Sequence, residues 1–260
     1  MNQIVITAKN NQKIKELKAL ISSSKARKNS GLFAVEGVRL CRDAILSGCK
    51  ITSVFYTAEC EEKYGEDLQL IKNAADSRFL ISSEIMRSVS DTVTPQGIIC
   101  VVKAVKNTFA FQKGGKYIAL DTLQNPDNLG AVLRTAEALG IDGVVIYGGC
   151  DIYNPKALRA SMGAVFRLPV NISQDLISDI ETAQLHGIKT YACVPDRDAP
   201  CVTDTDFRGG AVCIIGNEGN GISKDIIDAC GESVTIKMNG RAESLNAAAA
   251  AAIMMWEMER

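Results

Sequence analysis

Residues 117–136 read YIALDTLQNPDNLGAVLRTA, and this stretch decides the fold of the second half of the chain. Residues 117–120 form an apolar run of strand length, and residues 128–139 carry apolar side chains at helical spacing. Pro126, Asp127 and Asn128 between them are typical of a turn and a helix cap. A strand that runs directly into a helix is typical of a parallel α/β sheet, in which ligands bind outside the carboxyl ends of the strands.

The rest of the second half continues the alternation of strands and helices. We predict strands at 144–147, 189–194, 211–215 and 233–238, and helices at 155–164, 176–185, 224–229 and 244–260. This pattern predicts a mostly parallel sheet flanked by helices.

The first half is expected to form a smaller α/β domain. Its predicted helices are 11–22, 38–46 and 67–75, and its predicted strands are 33–37, 51–56 and 97–102. A polar, glycine-containing stretch follows at 103–116. We therefore expect a first domain at 1–105, a linker at 106–116 and a second domain at 117–260.

Composition excludes several classes of protein. The chain has 260 residues, no apolar run long enough for a membrane span and no signal peptide at its start, so we expect a cytoplasmic protein. Its nine cysteines include no C-x-x-C pair, which favours reduced core cysteines over a zinc or redox site. His186, the single histidine, excludes a multi-histidine metal centre, and we expect it on the surface near a helix end.

The net charge of −1 hides an uneven distribution of charge. The first 50 residues hold 10 Lys and Arg against 3 Asp and Glu, whereas residues 106–260 hold 14 against 19. Such a basic region suits a polyanion such as RNA, although a solvated helix face would have the same composition. The candidate RNA-binding residues are Lys25, Arg27, Lys28 and Arg39.

Three segments at predicted strand ends carry residues suited to chemistry. Arg134 lies one turn after Gly130 in the predicted helix, where a guanidinium can meet a phosphate. Glu218 lies in the glycine turn at 216–221, whose order reverses the dinucleotide fingerprint, and the sequence has no P-loop. The third segment, 236–246, ends in a Ser-Leu-Asn run at a helix start. Singly, each signal is weak.

Taken in order, these segments resemble the SpoU (TrmH) family of RNA ribose 2′-O-methyltransferases, within the SPOUT superfamily. The motifs are N-P-x-N-x-G-x-x-x-R, G-x-E-x-x-G-[IL]-S and I-x-M-x-G-x-x-x-S-L-N, and the resemblance spans residues 117–260. The first half resembles the ribosomal-protein-like substrate-binding domain that often precedes this fold, in residues 10–18, 25–27 and 33–39.

The resemblance implies a trefoil-knotted domain, a homodimer that forms through it, and S-adenosylmethionine as the cofactor, with no metal and no membrane partner. It places cofactor contacts, mostly through the backbone, at Gly216, Ile236, Met238 and Leu245. Its catalytic and substrate-positioning residues fall on Arg134, Asn128, Glu218, Ser244 and Asn246.

The function that follows is methyl transfer to a ribose 2′-hydroxyl, with ribosomal RNA favoured by the first domain. Arg134 is expected to bind a phosphate and stabilise the developing alkoxide, because a guanidinium stays protonated in proteins. One departure from the family pattern is Lys237, where the third motif usually has proline, and we expect cofactor binding to survive this change.

Two alternatives remain open from the sequence. The substrate could be tRNA, or the chain could be a non-catalytic RNA-binding or ribosome-assembly protein of the same fold. Antibiotic-resistance variants of the family share the same two-domain layout.

Overall fold

The computed structural model describes residues 3–105 and 108–260. These residues divide into two compact units: the residues up to 105 together with Tyr153–Phe166, and the residues from 108 to 152 together with Arg167–Arg260. Lys106 and Asn107, the first residues of the predicted linker 106–116, lie outside the described residues.

Eleven strands and eleven α-helices are found in the described residues. Up to residue 105 they are β1 (Ile4–Ile6), α1 (Gln12–Ser22), α2 (Ser24–Ser30), β2 (Leu32–Glu36), α3 (Val38–Leu46), β3 (Ile51–Tyr56), α4 (Ala58–Lys63), α5 (Gly65–Ala74), β4 (Ser77–Ile81), α6 (Ser83–Val89) and β5 (Ile98–Lys103). From residue 108 they are β6 (Lys116–Asp121), α7 (Pro126–Leu139), β7 (Gly143–Tyr147), α8 (Pro155–Ser161), β8 (Val170–Ser173), α9 (Leu176–Leu185), β9 (Lys189–Cys193), β10 (Ala211–Ile215), α10 (Lys224–Ala229), β11 (Glu232–Val234) and α11 (Ala247–Glu259).

The first unit is built on a five-stranded mixed sheet in the order β1-β4-β3-β5-β2. β4 pairs in parallel with β1 and β3, whereas β5 pairs antiparallel with β2 and β3. Apolar side chains of α1 and α6, including Leu17 and Met86, pack in one cluster with Phe55 and Phe79 of the sheet. The basic residues predicted to bind RNA lie on two other helices of this unit, Lys25, Arg27 and Lys28 on α2 and Arg39 on α3.

The segment Tyr153–Phe166 belongs to this first unit although it lies far along the chain. The Tyr153 ring stacks on Phe33 of β2 at 4.1 Å, and the Phe166 ring lies 6.3 Å from Phe33. The Tyr153 hydroxyl donates to the carbonyl of Val105 and accepts from its N–H. No local pattern predicts this arrangement, because Tyr153 and Phe166 lie at least 120 positions after Phe33.

The second unit is built on a six-stranded sheet in the order β11-β9-β10-β6-β7-β8, in which every pairing is parallel. Tyr117 and Ala119 of β6 join a buried cluster with residues of α9 and α10 on one face. On the other face, α11 contacts β6 and β10 and packs along α7. The predicted α/β class and mostly parallel sheet are confirmed. The knot stays a prediction, because strand order and pairing do not define how the chain is threaded.

Several predicted boundaries need correction. The helix predicted at 155–164 ends at Ser161, since Met162 adopts a left-handed backbone conformation with φ of 51° that stops a helix. The strand predicted at 233–238 ends at Val234. The last helix begins at Ala247, with Asn246 as its N-cap, rather than at residue 244. The polar edge strand β8 was not predicted.

Metal sites and membrane-spanning helices were both excluded on composition, and the structure was searched for each. Within residues 3–105 and 108–260, no group of three or more His, Cys, Asp or Glu side chains is placed to hold a metal ion. Among the same residues, no helix has the length and apolarity that a membrane crossing requires. His186 is exposed at the end of α9, as predicted.

Candidate active site

A carboxylate at the carboxyl edge of the second sheet binds the start of α7. Glu218 accepts hydrogen bonds from the backbone N–H groups of Gln124 and Asn125, each at 3.1 Å, and from the side-chain amide of Asn128 at 2.9 Å. Gln124 and Asn125 precede α7, which begins with Pro126 and is capped by the Asn125 side chain. A negative charge at a helix N-terminus is favoured by the helix dipole. The second motif is therefore fixed to the first by charge-assisted hydrogen bonds.

The same network extends to the third motif. The Asn246 amide donates to Oδ1 of Asn128 at 3.0 Å, and Oδ1 of Asn246 accepts from the N–H groups of Ala248 and Ala249 at the start of α11. Each side-chain amide has its donor and its acceptor engaged in a different direction, which fixes its orientation. Asn128, Glu218 and Asn246, three of the five predicted catalytic residues, are thus joined in one chain of hydrogen bonds.

The charge state of Glu218 follows from these contacts. Partial burial raises the pKa of this carboxyl group, but the hydrogen bonds from Asn128, Gln124 and Asn125 outweigh burial, so the pKa lies below its ordinary value of 4.5. Glu218 is therefore ionised at neutral pH and acts as a hydrogen-bond acceptor. It does not act as a proton donor.

The hairpin that carries Glu218 is held by its neighbour Asn217. The Asn217 amide donates to the carbonyl of Thr122 at 2.8 Å, and its oxygen accepts from the N–H groups of Gly219 and Asn220. A Cβ at Gly216 would lie 2.3 Å from the backbone carbon of Gly221, so only glycine fits there. Gly216 thus has a folding role that the sequence did not indicate. Asn217 was not predicted either, although Asn commonly opens a turn in which its side chain accepts from the backbone two residues on.

The predicted cofactor residues of the third motif lie on an irregular loop. Ile236 and Met238 are half-buried, and Leu245 is 37% exposed. Among the described residues, no backbone group from 236 to 245 takes part in a backbone–backbone hydrogen bond. Peptide groups without backbone partners, beside apolar side chains, fit a planar heterocycle such as adenine, which needs hydrogen bonds at its edge and apolar contact on its faces. Ser244 is exposed on this loop, and within the described residues no hydrogen bond joins it to the network.

Arg134 lies on α7 but away from the network. It is exposed, and the described residues provide it with no hydrogen bond or ion pair. It follows Asn128 by six positions, which turns its side chain by roughly 240° around the helix axis. The structure therefore does not bring Arg134 to Asn128 and Glu218 of the same chain.

The predicted RNA-binding residues divide into two groups. Lys25, Lys28 and Arg39 are exposed on the first unit. Arg27 is buried, and its guanidinium donates to the carbonyls of Leu20 and Ile21 at 2.8 and 3.1 Å. The assignment of Arg27 to RNA is therefore wrong, because its charge satisfies the last carbonyls of α1.

The sequence matches two protein-family models, one in each half of the chain. A model described as the SpoU rRNA Methylase family matches residues 115–256, more than half of the chain. The chain belongs to the SpoU rRNA methylase family. A second model, described as an MRM3-like substrate binding domain, matches residues 11–100. This SpoU methylase thus combines a methylase domain with a substrate-binding domain, as the resemblance implied.

Relatives of this SpoU methylase match it along nearly its whole length. The 23S rRNA (guanosine(2553)-2′-O)-methyltransferase RlmP of Bacillus subtilis is 30% identical over 97% of this chain and 98% of its own. The 23S rRNA (uridine(2479)-2′-O)-methyltransferase of Streptomyces viridochromogenes is 27% identical over 96% of this chain and 90% of its own. Membership of the family makes this chain an RNA methyltransferase.

Solved structures of methyltransferases have the same fold as this chain over nearly its whole length. The AdoMet-bound rRNA methyltransferase of Sinorhizobium meliloti is 26% identical, covers 98% of this chain and 97% of its own, and superimposes with a TM-score of 0.86. The SpoU methyltransferase AviRb of Streptomyces viridochromogenes in complex with AdoMet is 26% identical, covers 96% of this chain and 97% of its own, and gives a TM-score of 0.84.

Proposed function

We propose that this SpoU methylase transfers the methyl group of S-adenosylmethionine to a ribose 2′-hydroxyl of large-subunit ribosomal RNA. The observation that carries the proposal is the Glu218–Asn128–Asn246 network, which fixes three separate motifs at one edge of the sheet. Relatives named as 23S rRNA 2′-O-methyltransferases support the substrate class. A substrate in ribosomal RNA implies a cytoplasmic site of action.

S-adenosylmethionine would supply an electrophilic methyl group, and the loop at 236–245 with Gly216 would hold it through Ile236, Met238 and Leu245 and through backbone groups. Asn246, which follows the end of this loop, donates a hydrogen bond to Asn128 of α7, and this bond fixes the end of the loop relative to α7. Ser244, exposed next to it, orients the ribose. Much of the rate is expected to come from such positioning.

Arg134 is assigned to the RNA. Its guanidinium binds a phosphate next to the target and stabilises the negative charge that grows on the ribose oxygen as the hydroxyl proton leaves to solvent. Since its side chain turns away from Asn128 of its own chain, we assign Arg134 to the active site of a partner subunit.

A homodimer is the arrangement that this assignment requires. Ala249, Ile253 and Trp256 lie on one face of α11 at positions i, i+4 and i+7, and Trp256 is 60% exposed. An exposed tryptophan with apolar neighbours at helical spacing is typical of a protein interface. Because α11 packs along α7, a partner on this face would lie close to Arg134.

The first unit is proposed to bind the RNA backbone through Lys25, Lys28 and Arg39. All three are exposed, and the second half of the chain has an acidic excess that does not favour RNA. The phosphate contacts outside the active site are therefore assigned to the first unit.

The test uses purified protein, methyl-labelled S-adenosylmethionine and separate fractions of ribosomal RNA and tRNA that lack the modification. We expect label in ribosomal RNA, recovered as a 2′-O-methylated nucleotide after nuclease digestion. Arg134→Ala is expected to abolish incorporation with cofactor affinity nearly unchanged, and Arg208→Ala, at an exposed arginine outside the network, serves as the matched control. Label only in tRNA would refute the ribosomal substrate, and cofactor binding without label in any RNA would refute the catalytic function.

A further inference from the structure

A cavity lies at the carboxyl edge of the second sheet, and the proposed function leaves it without a role. Its volume is about 380 Å³, and its walls come from the ends of β6 and β7, the 217–221 hairpin and the first turns of α9 and α10. We call it the α9 cavity and define it by Asp121, Tyr147, Asp175, Asn220, Ser223 and Asp225.

The α9 cavity opens on the opposite face of the sheet from the catalytic network. Asp121 and Tyr147 are register partners in the parallel strands β6 and β7, so their side chains point to the same face. Strand alternation puts Asp121 on the side of Tyr117 and Ala119, which pack against α9 and α10. Asn128 and Asn246 belong to α7 and the start of α11 instead. The cavity is therefore separate from the predicted cofactor loop.

The charge of the cavity restricts its ligand. Its described lining includes the carboxylates of Asp121, Asp175 and Asp225 but no Lys or Arg. Such a lining repels phosphates and carboxylates and accepts hydrogen bonds from N–H groups. The ligand part that enters it must therefore be an uncharged or cationic hydrogen-bond donor.

Asp121 is the acceptor best placed to recognise such a donor. Only 4% of its surface is exposed, although it lines the cavity. One carboxylate oxygen accepts from the Ser223 N–H at 3.3 Å, and the described residues give this carboxylate no other hydrogen bond. A buried carboxylate with unused acceptor capacity costs free energy unless a ligand or water satisfies it.

We propose that the α9 cavity binds a guanine base of the RNA substrate, at a nucleotide near the methylation target. This inference rests on the proposed function, because it assumes an RNA substrate. Guanine presents adjacent N1–H and N2–H donors that one carboxylate can accept together, whereas uracil has a single N–H between two carbonyls that would face carboxylates. The cavity volume suits a nucleoside, and the Tyr147 ring supplies an aromatic wall for a base.

The 217–221 hairpin connects this cavity to the catalytic network. Asn217 and Asn220 line the cavity, while Glu218 between them binds Asn128. A base held against Asn220 stabilises the hairpin and with it the position of Glu218. Recognition of the guanine is thereby transmitted to the active site through one short turn.

The test measures binding of the four ribonucleosides to the full chain by NMR, with the Ser223 N–H signal as the probe because this group donates to Asp121. We expect guanosine to shift this signal at a concentration at least tenfold lower than uridine, with adenosine and cytidine between them. Asp225→Asn is expected to weaken guanosine binding at least threefold. Asp228→Asn, the same change on an exposed face of α10 outside the cavity, is expected to leave it unchanged.

A further variant tests Asp121 directly. Asp121→Asn replaces one acceptor with a donor, so the preference for guanosine over uridine should fall at least tenfold. If this buried change unfolds the protein, the effects of Asp225→Asn and Tyr147→Leu on guanosine binding still test the proposed site. Equal shifts with guanosine and uridine, stronger binding of cytidine, or no shift with any nucleoside would overturn the assignment.

The two proposals fail in different ways. Methylation of ribosomal RNA without guanosine selectivity refutes the guanine site alone. Guanosine selectivity without methylation of any RNA refutes the proposed function and leaves the base-binding cavity in place.

Discussion

The side chain of Asn246 donates a hydrogen bond at 3.0 Å to the side chain of Asn128, which lies 118 residues earlier in the chain. Asn128 in turn donates to Glu218 at 2.9 Å. Two helix starts and one hairpin are therefore held by amide and carboxylate groups, each with a fixed direction of donation. A change of one donor into an acceptor should disturb all three elements together.

Asn128→Asp tests this network. The new carboxylate would face the Glu218 carboxylate across about 3 Å, and the two charges would repel each other. We expect a loss of about 2 kcal/mol in the free energy of unfolding and a fall in methylation of at least a hundredfold. Asn73→Asp, the same change at an exposed position on α5, is the control. Wild-type stability and rate in Asn128→Asp would contradict the network.

Glu218→Gln should change how stability depends on pH. The pKa of Glu218 is lower in the folded chain than its value of about 4.5 in the unfolded chain. The Glu218 carboxylate therefore stabilises the fold fully at pH values above 4.5, and this stabilisation is lost as the pH falls through the pKa of the folded state. We expect urea unfolding to show a deficit of about 1 kcal/mol for the variant at pH 7, since the carboxyl is largely solvent-accessible. This deficit should shrink at pH 3–4. A deficit that stays constant down to pH 3 would refute a role of the charge.

Arg134 can be assigned to its own or the partner's site by complementation. Chains with Arg134→Ala and chains with Asn246→Ala are coexpressed with different tags, and dimers that carry both tags are purified. If Arg134 acts across the dimer, each mixed dimer regains one intact site and should show about half of the wild-type rate. Inactive mixed dimers would place Arg134 in its own site.

Trp256→Glu tests the dimer itself. A charge in the middle of a buried apolar interface is strongly destabilising, so the variant should elute as a monomer in size-exclusion chromatography with light scattering. Leu185→Glu introduces the same charge at a position on α9 that is 87% exposed, and this control should remain dimeric. A dimeric Trp256→Glu variant would move the interface away from α11.

The exposed basic residues of the first unit should contribute to the affinity for RNA and to its salt dependence. Replacing Lys25, Lys28 and Arg39 with Glu should weaken RNA binding and flatten its dependence on log salt by about 2, or roughly 0.7 for each lost phosphate contact with single-stranded RNA. Lys63→Glu, at an exposed lysine on α4, should have little effect. An unchanged salt slope in the triple variant would mean that this surface does not bind the backbone.

Arg27→Ala should act on folding and leave the salt slope alone. Its guanidinium donates to two carbonyls at the end of α1, so we expect a loss of about 3 kcal/mol in the stability of the first unit. The measurement is thermal unfolding followed by RNA binding at a temperature where the variant is folded. A flattened salt slope there would return Arg27 to the RNA surface.

The sequence predicted the regular elements well where the apolar period was strong. α3, β3, α9, β10 and α10 have the predicted bounds, because their apolar periodicity and their turn residues agree. β8 was missed because it is a short edge strand in which Asn171 and the exposed Ile172 break the pattern. β4 was missed because Ser77 and Arg78 open it with polar side chains.

The site was predictable in its residue types and not in its geometry. Asn128, Glu218 and Asn246 stand in recognisable motifs, but their hydrogen bonds join positions at least 90 residues apart, which no local pattern encodes. The burial of Arg27 shows the same limit, since a cation in a basic stretch has the same sequence signature whether it binds RNA or ends a helix.

The membership of Tyr153–Phe166 in the first unit has a consequence for how such proteins can be recombined. A methylase domain excised at residue 115 would keep this segment but lose Phe33, on which Tyr153 stacks. The apolar faces of Tyr153 and Phe166 would then meet water and favour aggregation. A graft of the first unit onto another methylase would in turn have to bring residues 153–166 with it. The two halves can therefore not be exchanged as separate domains. A gene fusion that replaces the substrate-binding domain would also have to replace residues 153–166 inside the catalytic half.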